Sequence, residues 1–131
     1  MKKTEVKVPI STFKQPSLFV VDREGMQRYE EGAHRYQLLE CEGYDADKKE
    51  TKLLSSRQQF DFVYKDERGI DKGITSEQVL SMLLHRHTNL NKAYPCPQNE
   101  KLILCLQHAL DAIQERINDR EAREVMGELK I

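Results

Sequence analysis

Thr75-Ser-Glu-Gln-Val-Leu-Ser-Met-Leu-Leu-His-Arg86, then Tyr94-Pro-Cys-Pro-Gln-Asn-Glu100, then the run from Leu102 to Ile117 decide the fold of this chain. Thr75 followed three residues later by Gln78 is a capping box, in which side chain and backbone satisfy each other's unpaired amides at a helix start. Pro97 suits the first turn of a second helix because its missing N–H would have no partner there. Leu102, Ile103, Leu106, Ala109, Leu110, Ile113 and Ile117 then recur at helical spacing and draw one apolar stripe. The stretch therefore predicts two amphipathic helices, over about 75 to 91 and 97 to 126, joined by a proline-rich turn.

Upstream of the helices the pattern changes to period two. Arg35-Tyr-Gln-Leu-Leu-Glu-Cys41 and Gln59-Phe-Asp-Phe-Val-Tyr-Lys65 alternate as half-buried strands do, with Phe60, Phe62 and Tyr64 on one face. Glu5-Val-Lys-Val-Pro-Ile10 and Ser17-Leu-Phe-Val-Val21 are shorter strand candidates, followed by a polar stretch through Gly25 and Gly32. Gly43 to Thr51 is charged and nearly free of large apolar residues, which predicts a mobile hairpin loop. The turn Asp66-Glu-Arg-Gly69 leads into the helices. Strands first and helices last predict an α+β fold, a small antiparallel sheet in residues 1–70 and a helical hairpin in 73–127, rather than an alternating α/β arrangement. At 131 residues we expect a single domain and one folding unit.

Composition narrows the function. Lys and Arg number 21 against 22 Asp and Glu, so no global field concentrates DNA, RNA or an anionic membrane, and any anion site must be local. The longest apolar runs fall far short of the roughly 20 residues that a membrane span requires, and Met1-Lys-Lys is followed by no signal-peptide core, which predicts a soluble, cytoplasmic protein. Cys41, Cys96 and Cys105 are odd in number and lack framework spacing, so we expect free thiols in a reducing compartment. No Ser-His-Asp order, paired carboxylates, phosphate-cradling glycine loop or Cys-His dyad is evident, and the expectation is a non-enzyme without a cofactor.

The segment from Gly73 to Arg86, the turn Tyr94 to Glu100, the pair Ala109-Leu110 and the run Arg116-Ile-Asn-Asp-Arg120-Glu-Ala-Arg123-Glu-Val125-Met-Gly127 resemble a small phage helical-hairpin domain. Members of that family show a Gly-Val-Thr-Asn-Glu helix start, an Arg-Glu-Asn-Ala second start and an Arg-rich ending closed by Gly-Val-x-Gly. Here Pro97 and Gln98 stand in place of the usual Arg-Glu, while Asn99 keeps the family's Asn. The hairpin is shared with phage proteins that sequester cyclic nucleotide signals of the CBASS and Thoeris immune systems by tight binding without chemistry. The resemblance covers residues 73–127 only, and it implies a cyclic nucleotide or cyclic ADP-ribose type of ligand.

Arg116, Arg120 and Arg123 fall at i, i+4 and i+7, which places three guanidinium groups along one helix face where phosphate oxygens could be met in bidentate fashion. Asp119 and Glu124 lie at ion-pairing spacing from them, so a solvated ion-pair face is the competing reading. Arg86 lies off the apolar stripe beside His85 and is a further ligand candidate. Asn99 opens the second helix, and Tyr94 and Tyr64 could stack on a base. The Phe60, Phe62, Tyr64 strand equally suits a sheet face packed inward. His85, His87, Cys96, Cys105 and His108 carry atoms suited to zinc, but the two histidines of His-x-His point to different helix faces, and we expect no metal. His87, four residues after Leu83, is expected as a half-buried core residue. The long second helix offers more apolar stripe than its shorter partner covers, which predicts a homo-oligomer formed through the helices.

Overall fold

The computed structural model describes residues 3–21, 33–66 and 69–123. The fold is α+β: a four-stranded antiparallel sheet followed by two C-terminal helices, the second longer. Strands β1 (Lys3–Glu5), β2 (Leu18–Val21), β3 (Arg35–Asp45) and β4 (Glu50–Asp61) pair in sequence order, so each is hydrogen-bonded to its neighbour in the chain. Strands β5 (Tyr64–Asp66) and β6 (Gly69–Asp71) form a separate two-stranded ribbon. Residue contacts divide the chain into two compact units, Met1–Tyr64 and Lys65–Ile131. The polar stretch through Gly25 and Gly32, the middle of the Asp66 to Gly69 turn and the ending Glu124 to Gly127 lie outside the described residues.

The sheet of the first unit is built differently from the pattern in three places. Residues 5–10 were expected as a strand, but β1 is Lys3–Glu5, and the chain from 6 to 17 loops out before β2. Pro9 and Pro16 lie in that loop, and a residue without an N–H cannot continue a ladder. The segment 43–51 was expected as a loop, but the ladder runs on to Asp45↔Glu50, leaving a turn of four residues. The Asp45 carboxylate accepts N–H bonds from Asp47 at 3.0 Å and Lys48 at 3.2 Å, and Lys49 adopts the left-handed region with φ 54°, so one aspartate closes a tight turn among charged residues. The segment 59–65 was expected as one strand, but β4 stops at Asp61, because its partner β3 begins at Arg35 and the register ends with that pair.

Pairing of β3 with β4 is interrupted twice. Leu39↔Arg57 is followed by Cys41↔Leu53, so two steps on β3 face four on β4, and Gly43↔Lys52 then leaves an extra residue on β3. Such bulges bend a ribbon and raise its twist. The core of this unit sits on β2, where Val20 and Val21, whose side chains point to opposite faces, are 2% and 1% exposed. Tyr64 is also buried, at 4% exposure, with its ring edge-on to His34 at 4.5 Å. Phe62 stands edge-on to Tyr36 at 5.8 Å.

The second unit holds α1 (Ser76–Ala93) and α2 (Pro97–Ala122), close to the expected boundaries. Thr75 caps α1 with both halves of the capping box present: its side chain accepts from the Gln78 N–H, and the Gln78 side chain accepts from the Thr75 N–H at 2.9 Å. Replacing Thr75 by Ala should lower the stability of the hairpin by about 1 kcal/mol, read as an earlier urea midpoint with an unchanged slope; Thr75→Ser should recover most of the loss. Pro97 occupies the first turn of α2.

Along α2, Asn99, Ile103, Leu106, Leu110, Ile113, Ile117 and Arg120 are each buried or half-buried at alternating steps of four and three. This is a heptad-like seam, and Leu106, 8% exposed, is its best-covered member. On α1 the half-buried set is Glu77, Val79, Leu80, Leu83, Leu84, His87, Thr88 and Asn91, which puts His87 on the covered face as its spacing predicts. A connection of only Tyr94 to Cys96 folds α2 back along α1.

Candidate functional site

The three arginines of α2 do not share one environment. Arg116 and Arg123 are exposed, whereas Arg120 continues the half-buried seam. Arg123 donates to the Asp119 carboxylate at 2.8 Å. Among the described residues, Arg116 and Arg120 have no ion-pair partner. Among the described residues, the ion-pair face expected from sequence thus forms at one of its positions, where Asp119 lies four residues before its partner. Glu124, the other acid expected to compete, lies outside the described residues.

The remaining expected ligand residues are dispersed. Tyr94 is 75% exposed at the hairpin turn, so its ring is accessible. Asn99 stands nearby, but its amide donates to the Tyr94 carbonyl at 3.0 Å, and Asn91 accepts from the Cys96 N–H at 3.2 Å, so these two side chains lock the turn. Arg86 is exposed on α1. Asn99 and Arg116 are separated by about 25 Å along the helix at the usual rise per residue. One hairpin therefore does not gather Tyr94, Asn99 and the arginines around a single small ligand. Tyr64 is a correction: its buried ring belongs to the core of the first unit and offers no face for a base. The sequence pattern allowed both readings, because an inward and an outward aromatic strand have the same period.

The densest polar array among the described residues is one that composition and motifs did not single out. Arg35 forms a 2.7 Å ion pair with Asp61 across the β3–β4 ladder. Gln59 donates to the same carboxylate at 3.2 Å, Gln37 donates to the Gln59 carbonyl at 3.2 Å, and Arg57 donates to Gln37 at 2.9 Å. The Arg57 guanidinium also lies 5.5 Å from the centre of the Phe19 ring, within cation–π range. Arg35-x-Gln37 and Arg57-x-Gln59-x-Asp61 do alternate in sequence, but only the register places them side by side. On the opposite face, Gln58 donates to Glu40 at 2.6 Å, and hydrogen bonds from Ser56 and Gln58 hold the Glu40 carboxyl below its usual range. These bonds satisfy one another, which suits a rigid sheet surface more than a reactive centre.

The cysteines are free thiols, with Cys41 and Cys105 exposed. Among the described residues no group of three or more His, Cys, Asp or Glu side chains is placed to hold a metal ion. No helix in the described residues is long and apolar enough to cross a membrane. No protein-family profile and no curated protein matches the chain.

Proposed function

We propose that this chain is a phage or prophage accessory protein that sequesters a phosphate-containing cyclic nucleotide immune signal without hydrolysing it. The observation that carries this reading is that Arg116 and Arg120, on a helix otherwise rich in acids, have no ion-pair partner among the described residues. Because the exposed Tyr94 and the arginines lie at opposite ends of α2, the site is assembled between subunits: antiparallel pairing of two hairpins sets the turn of one against the arginines of the other. Phosphates would rest on Arg116 and Arg120 with Arg123 and Arg86 at the margin, and the Tyr94 ring would stack on a base. Affinity and abundance would lower the free signal, with no bond broken.

A titration of thermal midpoint with cyclic di- and trinucleotides and cyclic ADP-ribose isomers tests this reading. A ligand at a hundred times its dissociation constant adds about 2.7 kcal/mol to the folded state, which raises the midpoint by several degrees. The ligand recovered after denaturation should be chemically intact. The double substitution Arg116→Ala, Arg120→Ala should weaken binding by about a hundredfold or more, since each charge-assisted bond contributes roughly 1.5–3 kcal/mol. Unchanged affinity in that variant sinks the site.

A second reading rests on a separate observation. Met82, Leu104 and Leu102 are large apolar side chains left 52%, 51% and 38% exposed on the hairpin. This favours a non-catalytic structural or protein-interaction module, for which apolar rather than arginine substitutions would abolish partner binding.

A further inference from the structure

Helix α2 carries two rows at heptad spacing. The first is the seam Ile103, Leu106, Leu110, Ile113 and Ile117, which is buried or half-buried. One residue before each seam position stands a second row, Leu102, Cys105, Ala109 and Ala112, ended by Arg116, at the same alternating steps of three and four. At about 100° per residue this row lies on one flank of the seam. Leu102 is 38% exposed, Cys105 and Ala112 are exposed, and Ala109 is half-buried. The other flank, at Glu100, Gln107, Asp111, Gln114 and Asn118, is polar apart from Leu104. An apolar row at heptad spacing is the pattern that a neighbouring helix covers, and alanine and cysteine let the two axes approach to about 8 Å.

Charge identifies that neighbour as a second copy of this chain. Lys101 lies seven residues before His108 and Glu115 seven after it, so the three line one edge of the second row. Lys101 and Glu115 are exposed, and among the described residues neither has an ion-pair partner. About a two-fold axis level with His108, an antiparallel copy sets each Lys101 against the partner's Glu115, so two opposite-charge pairs form at once. A parallel copy in register would instead oppose like charges at both positions. In the antiparallel register Cys105 stands level with the partner's Ala112, apolar against apolar. The hairpin turn then stands level with the partner's Arg120.

We infer that α2 pairs antiparallel with α2 of a second copy through Leu102, Cys105, Ala109 and Ala112, centred at His108. The pairing rests on the two-subunit reading of the arginine site and gives that reading its contact face. Cross-linking of the full chain tests it at about pH 8, where the histidines on the axis are neutral. In a Cys41→Ser, Cys96→Ser background, Ala112→Cys beside the native Cys105 should give a covalent dimer on oxidation with diamide. Within one helix residues 105 and 112 lie about 10 Å apart, too far for an internal disulfide. Gln114→Cys, on the polar flank, should give no covalent dimer in the same background. Sedimentation of the unaltered protein should show a reversible dimer or an even multiple of it. Lys101→Glu should raise the dissociation constant about tenfold, and Lys101→Glu with Glu115→Lys should restore it, because the reversed pair is again complementary. A monomer at every concentration, equal cross-linking through Gln114→Cys, or no rescue by the double reversal overturns the inference. Nucleotide affinity is measured separately: dimers that bind no nucleotide sink only the sequestration reading, and a monomer that binds nucleotide sinks only the pairing.

Discussion

Val20→Asp should unfold the sheet unit. Val20 is 2% exposed and pairs with Thr4 on one side and Tyr36 on the other, at the centre of the β1–β2–β3 ladder. A carboxylate there would have no cation within its strand neighbours, and burying it unpaired costs several kcal/mol. Against a total stability of about 5–15 kcal/mol for a domain, a loss of roughly 4 kcal/mol or more leaves little of the native state. Val20→Ala, which removes only apolar contacts, should cost about 2 kcal/mol. Thermal scans and amide resonances of β2 and β3 would check both. A Val20→Asp variant with native midpoint and spectrum would show that this position is open to water.

Leu106→Ala should have the next largest effect, a loss of about 2–4 kcal/mol in the helical unit. Leu106 is the best-covered member of the α2 seam, with Ile103 and Leu110 at the adjacent positions, and its truncation leaves a cavity that a two-helix layer fills poorly. Leu106→Met keeps most of the volume and should cost less than about 1.5 kcal/mol. Chemical denaturation followed by far-ultraviolet circular dichroism reports the helices directly. Equal stability of the alanine and methionine variants would mean that α1 does not pack on this seam.

The two helices could be read from the chain because their signals are local. A capping box spans four residues, a proline at a helix start acts through its own backbone, and an apolar stripe needs only the helical period to become a face. Thr75, Gln78, Pro97 and the stripe from Ile103 to Ile117 therefore stand where their spacing predicts, whereas Leu102 is exposed. The sheet was legible only as alternation. Whether Gly43 to Asp45 extends β3 depends on a partner strand, and the decisive contribution comes from Asp45, whose carboxylate closes the turn.

Residue types and spacing by themselves determined an α+β chain, two helices of which the first is capped by Thr75, free thiols and three arginines on the second helix. Tertiary structure alone decided which of those arginines is paired, that Tyr64 is core, that Asn99 holds a turn, and that Arg35, Gln37, Arg57, Gln59 and Asp61 form one network. The division has a physical reason. Helical faces and caps arise from interactions within about one turn of the chain, whereas strand register, burial and the choice among competing hydrogen-bond partners depend on residues distant in sequence.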